Sequence, residues 1–386
     1  MIGKHKNVLL TGARSFPALC LARIFKHAGY SVYLADSLDY YVTSYSSSVD
    51  GSFHVPSPRL DGTDAYIDAL KKIVMEKEID LLVPTWEEVI YISIRRDSFP
   101  SSCTVFCDDF DKIDSLHNKW RFAQTLKDLG FGGPETVIYK EADDLKKLPH
   151  SKYYSIKRCY SRGSQGLQKV KHNKLPKKIK HSDKNPWIAQ EWVEGDRFST
   201  YSIAHEGKLK AHLTYPVRFT VDGYSCLTFE SIQHLPILEW VRRFCCETNF
   251  TGQISFDLID HPERQILAIE CNPRATCGIH LFDASDELHR AFLHGNEKII
   301  YPKDDAKRQI GVGMCFYGWR NIRSFCQLKD FFKNFANYKD IILSRNDLSP
   351  FLMQPLVFLS WMRQSRKLGL KLPAFFTHDL DWDGEA

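Results

Sequence analysis

Near its start the chain carries an apolar run at residues 8–11, then the turn Gly12-Ala13-Arg14-Ser15, then apolar positions at Leu19, Leu21, Ala22, Ile24 and Phe25. The run predicts a strand and the spaced positions a helix, which Gly29 ends before a second strand at residues 31–35. Residues 66–75 repeat the helical spacing, and residues 79–83 repeat the strand until Pro84 halts it. Strands alternating with helices predict a parallel sheet. A single helical pattern over 113–129 ends at Gly130, and Gly132-Gly133-Pro134 follows as a hinge-like break. Beyond the hinge the pattern shortens. Strands are expected at 153–157, 166–170, 187–193 and 198–205, the last entering a hairpin turn at Glu206-Gly207. Two more, at 215–219 and 226–230, are joined at Asp222-Gly223. A helix at 237–247 precedes strands at 252–259 and 265–271. From about residue 310 the sequence is mixed and aromatic-rich, and it ends acidic at Asp379-Leu380-Asp381-Trp382-Asp383.

Composition narrows the class. The 386 residues allow two or three packed units, and 43% hydrophobic with 26% charged residues is ordinary for soluble domains. Disorder and low-complexity scaffolds are excluded. No apolar run approaches the roughly 18 residues of a membrane span, and the richest late stretch is interrupted by Gln354 and Pro355. Lys4 and Lys6 precede an apolar run too short for a leader, since Gly12 and Arg14 end it. Eleven cysteines, among them the pairs Cys103/Cys107 and Cys245/Cys246, show neither zinc nor redox spacing, so reduced thiols in a cytoplasmic protein are expected. A formal charge of +5 is too mild to imply nucleic acid. The lysines at 169, 171, 174, 177, 178 and 180 lack interleaved aromatics and read as a solvated loop. Neither nucleic acid nor membrane is expected as a partner. Asp36 sits about where a ribose-binding acid lies in dinucleotide folds, yet Arg14 and Pro17 stand where that fold's further glycines belong. A Rossmann-like scaffold without that cofactor is the expectation.

Four features carry candidate chemistry. Lys157 ends a strand and is followed by Ser161-Arg162-Gly163-Ser164-Gln165-Gly166, a loop whose backbone N–H groups can approach phosphate oxygens. It lacks the Walker order. The strand holding Gln190, Glu191, Trp192 and Val193 runs into Glu194-Gly195, where a connector can meet an adenine edge; an ordinary core strand would look the same. Asp257 precedes Glu270-Cys271-Asn272-Pro273-Arg274. Residues two apart on a strand share a side, so Glu270 and Asn272 face together, and Asp257 can join them from an antiparallel neighbour. Two carboxylates and an amide are hard oxygen ligands suited to Mg²⁺ beside nucleotide phosphates. Uncompensated carboxylates on an apolar strand are otherwise costly. Finally, Lys119 opens the helix before the hinge in His117-Asn118-Lys119-Trp120.

This order of motifs resembles the ATP-grasp superfamily, nearest to the branch similar to the large-subunit ATP domain of carbamoyl phosphate synthase. The resemblance covers residues 1 to roughly 300, and Pro84 followed by Glu87-Glu88 resembles the strand end that closes the family's first domain. It implies an α/β protein, α+β in its ATP-binding part. The units would be a Rossmann-like pre-ATP-grasp domain at 1–115, a lid subdomain with its preceding helix at 116–206, a metal and substrate subdomain of antiparallel strands at 207–310, and an extension at 311–386. It implies an ADP-forming ligase that joins a small-molecule carboxylate and an amine through an acylphosphate, with ATP and Mg²⁺ (Mn²⁺ as the alternative ion). Lys119, Lys157, Ser161, Ser164 and Gly166 would bind phosphates, and Gln190, Glu191, Trp192 and Val193 would frame adenine. Asp257, Glu270 and Asn272 would hold the metal. Arg274 would stabilise the transferring phosphoryl group. A homodimer is compatible with this reading, and a non-catalytic nucleotide-binding protein is its rival.

Two departures stand out. Arg197 occupies the place of the family's ribose-contacting glutamate in Gly195-Asp196-Arg197, with Asp196 as the candidate substitute, and Asp257 stands where relatives often have Glu or Gln. For substrate, Arg218 is the candidate for a carboxylate and Glu230 for an amine or a metal-bound water, against a salt bridge between them. The turn Ala275-Thr276-Cys277-Gly278-Ile279-His280 offers backbone N–H groups at Gly278 and a candidate base at His280.

Overall fold

The computed structural model describes residues 6–162, 166–171, 176, 179–220, 226–322 and 324–384. Strands β1 (Asn7–Thr11), β2 (Ser31–Asp36), β3 (Gly51–His54), β4 (Leu81–Pro84) and β5 (Thr104–Val105) form a parallel sheet in the order β3-β2-β1-β4-β5. Val8, Leu9 and Leu10 are fully buried, as a strand covered on both faces requires. Helices α1 (Phe16–His27), α2 (Thr63–Glu76) and α3 (Glu88–Ile94) connect the strands. Ser15 caps α1 by accepting the Ala18 N–H, with Pro17 in the first turn. Asp36 is the last residue of β2 and is bound to Arg14 through both the backbone N–H and Nε, each at 2.8 Å. At Gly12, where φ is +57°, a Cβ would lie 2.4 Å from the Glu88 carboxylate. A carboxylate therefore fills the approach that a dinucleotide's phosphates would need.

The single helix expected over 113–129 is two, α4 (Phe110–His117) and α5 (Lys119–Asp128). Asn118 between them is extended, and its side chain accepts the N–H groups of Trp120 and Arg121. Asparagine favours this capping geometry over helix interior, so the chain stops and restarts there. The restart makes Lys119 the first residue of α5.

Strands β6 (Thr136–Tyr139), β7 (Tyr153–Arg158), β8 (Gln168–Lys171) and β9 (Trp187–Glu191) form an antiparallel lid sheet, order β6-β9-β7-β8. Its first strand was not expected, and β9 ends before Trp192. A second antiparallel sheet, order β11-β10-β13-β14, contains β10 (Asp196–His205) and β11 (Lys208–Pro216), followed in the chain by β12 (Thr228–Glu230), α6 (Leu235–Glu247), β13 (Gly252–His261) and β14 (Gln265–Asn272). Glu206 and Gly207 turn β10 into β11 with φ of 45° and 75°. A division at 206/207 thus falls at a hairpin tip inside one sheet; the change of sheet comes between β9 and β10. The strand expected at 215–219 is only the end of β11. Thr220 forms an isolated bridge to Cys226, and Asp222-Gly223 lies outside the described residues.

The rest of the chain adds β15 (Lys307–Gln309), α7 (Gly311–Phe316), α8 (Phe325–Asn337), β16 (Lys339–Asp340), α9 (Ser349–Lys367) and α10 (Leu372–Phe375). Strands β12, β15 and β16 make a small third sheet. Among the described residues no helix is long and apolar enough to cross a membrane. The acidic end returns to the first domain. Asp379 binds Arg14 Nη1 and Nη2 at 2.7 and 2.8 Å, and Trp382 packs against Tyr91 and Phe110.

Candidate active site

A cleft of about 510 Å³ is lined by β7 and β9 of the lid and by β10, β13 and β14 of the second sheet. At its centre the register sets Asp257 of β13 opposite Glu270 of β14, with Asn272 two residues further along. Asp257 accepts the Ser199 hydroxyl at 2.6 Å. Lys119 Nζ lies 3.5 Å from Glu270 Oε1 and donates to the Ser161 carbonyl at 2.6 Å. The Lys157 side chain on β7 is buried and makes no hydrogen bond or ion pair among the described residues. Arg274 donates from Nη2 to Asn272 Oδ1 at 3.0 Å and to Glu87 Oε1 at 3.4 Å, while its Nε is buried without a partner among the described residues. Arg162 shares Glu87 at 3.3 Å and lies 4.5 Å over the Trp86 ring.

The charges perturb one another. Burial pushes the Lys157 ammonium down to about 8, although Glu270 opposes the shift. Burial and the neighbouring Glu270 carboxylate raise Asp257. Burial also acts against ionised Glu270, but Lys119 and Lys157 outweigh it and hold that carboxyl below its usual range. Glu87 is buried too, yet Arg162 and Arg274 bring it down to about 2. Burial lowers His117 to about 4, so it is neutral near pH 7. The centre is a set of mostly ionised groups in a desolvated space, with two carboxylates side by side.

The donor set fits a hard cation associated with a nucleotide. Two carboxylates and an amide supply oxygen only, and a divalent ion would relieve the repulsion that raises Asp257. No group of three or more His, Cys, Asp or Glu able to hold a metal occurs among the described residues. Mg²⁺ binds through one or two carboxylates plus phosphate oxygens and does not require such a group. The free Arg274 Nε and the unpartnered Lys157 side chain suit phosphate.

Of the sequence-derived candidates, Lys119, Lys157, Ser161, Gln190, Glu191, Trp192, Val193, Asp257, Glu270, Asn272 and Arg274 all line this cleft. Several point differently from expectation. Gln190 donates to Thr136 Oγ1 at 3.0 Å, and the Glu191 carboxylate receives Arg264 at 2.8 and 3.0 Å, so that side chain ties the lid to the β13–β14 turn. Trp192 carries Lys169 Nζ 3.8 Å from its ring centre, and Tyr153 carries the same lysine at 4.3 Å. Lys169 is therefore packed on aromatics, not simply solvated. Lys174, Lys177, Lys178 and Ser164 lie outside the described residues. Gly166 lines a neighbouring pocket of about 280 Å³ instead.

The four substrate candidates are not brought to the cleft. Arg218 and Glu230 pair with each other, and Glu230 also receives Lys307 and the Tyr338 hydroxyl, binding β12 to the C-terminal segment. The physical reason is that residues 217–219 are not a strand, so Arg218 is not carried inward. A Cβ at Gly278 would lie 2.7 Å from the Tyr215 ring, which makes that position one of close packing. His280 is buried, is pushed down to about 3 by desolvation, and lines a different cavity with Cys20 and Arg308. Arg197 does line the cleft, whereas Asp196 is exposed.

Sequence reasoning missed other lining groups. Glu87 and Arg162 stand in the quoted motifs without a mark of their buried pairing. Phe16, Trp86 and Phe376 come from three distant stretches and carry no local signal.

A family model described as "ATP-grasp domain" matches residues 116–278. An uncharacterized protein of Methanocaldococcus jannaschii is 23% identical over 352 residues, covering 88% of this chain and 86% of its own. Among solved structures, an L-amino acid ligase from Bacillus licheniformis superposes with a TM-score of 0.54 at 13% identity, covering 75% of this chain and 74% of that one. The N5-carboxyaminoimidazole synthetase of Staphylococcus aureus gives 0.56 at 13% identity, covering 74% and 77%. The biotin carboxylase domain of Hydrogenobacter thermophilus 2-oxoglutarate carboxylase, solved with MgADP and bicarbonate, gives 0.58 at 11% identity, covering 78% and 73%. Two antiparallel sheets enclosing a charged cleft behind a parallel-stranded first domain give this chain the ATP-grasp fold of these structures, and the ATP-grasp family model matches within it, at residues 116–278.

Proposed function

We propose that the protein is an ATP-dependent carboxylate–amine ligase that works through an acylphosphate and releases ADP and phosphate. The observation that carries this reading is the convergence of Lys119, Lys157 and Arg274 with Asp257, Glu270 and Asn272 on one desolvated cleft. Phosphoryl transfer needs positioning and charge neutralisation more than a side-chain nucleophile. Lys119 and Lys157 hold the phosphates. Gln190 to Val193 border the adenine through backbone groups. Asp257, Glu270 and Asn272 would hold Mg²⁺, or Mn²⁺ in its place, which would supply neutralisation of the phosphate oxygens. Arg274, with one N–H unused, meets the charge that develops on the transferring group. The carboxylate oxygen attacks the γ-phosphorus as ADP leaves, and the amine then displaces phosphate from the acyl carbon. Arg197, lining the cleft, takes the ribose in place of an acid. The motif order similar to the carbamoyl phosphate synthase branch favours this acylphosphate route. Eleven unbridged cysteines suit a reducing cytoplasm, and a homodimer is compatible with it.

The test is release of ADP and phosphate from the full chain with Mg-ATP and pools of carboxylic acids and amines, with mass spectrometry of the adduct. Release that Glu270→Ala abolishes supports the ligase. The presence of Arg197 where an acid is expected favours one rival, a nucleotide-binding protein without turnover. ATP binding with no release in the wild type, unchanged by Glu270→Ala, would select that rival.

A further inference from the structure

Part of the cleft's lining is apolar. Phe16 opens α1, Trp86 follows β4, Leu227 and Phe229 come from the β12 segment, Ile310 follows β15, and Phe376 follows α10; all six line the same cleft as the charged centre. Five separate stretches of chain have been brought to one place. Leu227 and Phe229 are nearly inaccessible, at 2% and 1%. Phe16, Trp86, Ile310 and Phe376 stay only partly covered, with Trp86 and Phe376 ring centres 4.8 Å apart. Arg162 and Arg274 of the same lining are already engaged: Arg162 lies over Trp86 and is paired with Glu87 and Asp381, and Arg274 also holds Glu87. Arg162 thus stands against one of the apolar walls, with its charge met by those carboxylates. A concave surface walled by large apolar side chains with a few convergent polar groups at one side is suited to a ligand that is apolar at one end and polar at the other.

We propose that the carboxylic acid activated by this protein carries a bulky apolar group, aromatic or branched aliphatic, seated among these six side chains with its carboxylate turned toward Arg274. This rests on the ligase reading above and adds the class of substrate to it. The hinge side of the cleft, with Gln190 and Trp192, is taken by the nucleotide, which leaves the Phe16–Trp86–Phe376 part of the lining for the acid. A methylene more or less in such a pocket changes kcat/KM by about 10- to 200-fold, so selectivity of that size is expected between acids differing in apolar bulk.

Hydroxylamine makes the test independent of the natural amine. The acid's oxygen bonds to the γ-phosphorus as the bond to ADP breaks; hydroxylamine nitrogen then attacks the acyl carbon, loses a proton to solvent, and phosphate departs, leaving a hydroxamate. Full-length protein with Mg-ATP and hydroxylamine is assayed with phenylalanine, tryptophan, leucine, 3-phenylpropionate and 4-methylpentanoate against glycine, serine, aspartate and succinate. Hydroxamate and ADP from the first group, at about 10-fold or more higher kcat/KM, support the proposal. Turnover confined to the second group overturns it and leaves the ligase standing. Trp86→Ala and Phe376→Ala raise the KM for apolar acids, while Phe376→Leu restores most of it; an equal rise for succinate would count against the pocket. Should no acid yield ADP, the ligase reading fails. Calorimetry of 3-phenylpropionate and succinate, with a non-hydrolysable ATP analogue present, then decides the pocket: binding of the former that Trp86→Ala weakens supports it, and its absence overturns it.

Discussion

The buried charges at the parallel sheet and those in the cleft are satisfied by their partners to different degrees. Arg14 is fully buried, and each of its guanidinium nitrogens is used: Nε on Asp36, Nη1 on Asp379 and the Phe376 carbonyl, Nη2 on Asp379 and Ser37. Burial would lower its pKa, but the two aspartates outweigh that and raise it. In the cleft, the Lys157 side chain has no partner among the described residues, Arg274 has a spare N–H, and two carboxylates sit side by side. A completed network holds structure together; an incomplete one at the same depth is stable only because something else completes it. Burial alone therefore does not separate structural from functional charges, and the unused valences do.

The sharpest break of that contrast is Glu270→Ala. On the ligase reading it removes a carboxylate that would hold the phosphate-bound cation, and losing such electrostatic stabilisation should lower ADP release by about 10²–10³. Thermal unfolding of the apo protein should hold or improve for Asp257→Asn, because it removes a carboxylate that burial and Glu270 already disfavour. A fall in melting temperature for Asp257→Asn would place the cleft in the structural class. At the parallel sheet the opposite holds. Asp379→Asn leaves Arg14 short of a counter-charge and should cost about 3–5 kcal/mol in urea denaturation, the scale for breaking a buried pair. Nearby cations hold the Asp379 carboxyl below its usual range. Its contribution is therefore complete above the unfolded-state carboxyl pKa and is lost as pH falls toward the folded one.

The same contrast marks what the sequence could disclose. Asp257, Glu270 and Asn272 lie on strands, where two-residue alternation states which of them share a side, and the register sets Asp257 opposite Glu270 with Asn272 two residues on. The Asn118 break was hidden because a cap and a mid-helix asparagine look alike in a helical pattern; only the extended backbone distinguishes them. Arg218 was misplaced because alternation at 215–219 mimics a strand that pairing does not sustain past Pro216. The acidic end was visible as composition, yet its partners Arg14, Arg59 and Arg162 are more than 200 residues away. No local pattern encodes a contact of that span.

Lys157 sharpens the comparison through pH. Its ammonium titrates at about 8 in the folded chain, below the ordinary lysine value. The burial penalty is present below pH 8 and is relieved as pH rises from there toward the unfolded-state value, so this group makes the apo protein more stable over that window. Nucleotide binding should do the reverse, since phosphates favour the charged form. Affinity for an ATP analogue should fall as pH rises from 8 to 9, by up to about tenfold per unit for a single linked proton. Calorimetry at pH 8.5 in buffers of different ionisation enthalpy should show proton uptake, and Lys157→Met should abolish it. Uptake that persists in the variant would assign the proton elsewhere.

The smallest expected effect lies where the two groups meet. Asp381 accepts Arg162 at 2.8 Å and Thr377 at 2.7 Å, linking the C-terminal end that also carries Asp379 to a cleft residue beside Trp86. Arg162 and Asp381 are 15% and 23% exposed, so water screens their attraction far more than it does the Arg14 pair. Asp381→Asn should therefore leave stability nearly intact. Arg162 would fall back on Glu87, which Arg274 already shares, and draw that carboxylate away from Arg274. The KM for ATP should rise by about fivefold or less, with kcat little changed, and Asp381→Glu should recover part of the loss. A large drop in melting temperature instead would make Asp381 a second Asp379, and the C-terminal end purely a fastening of the fold.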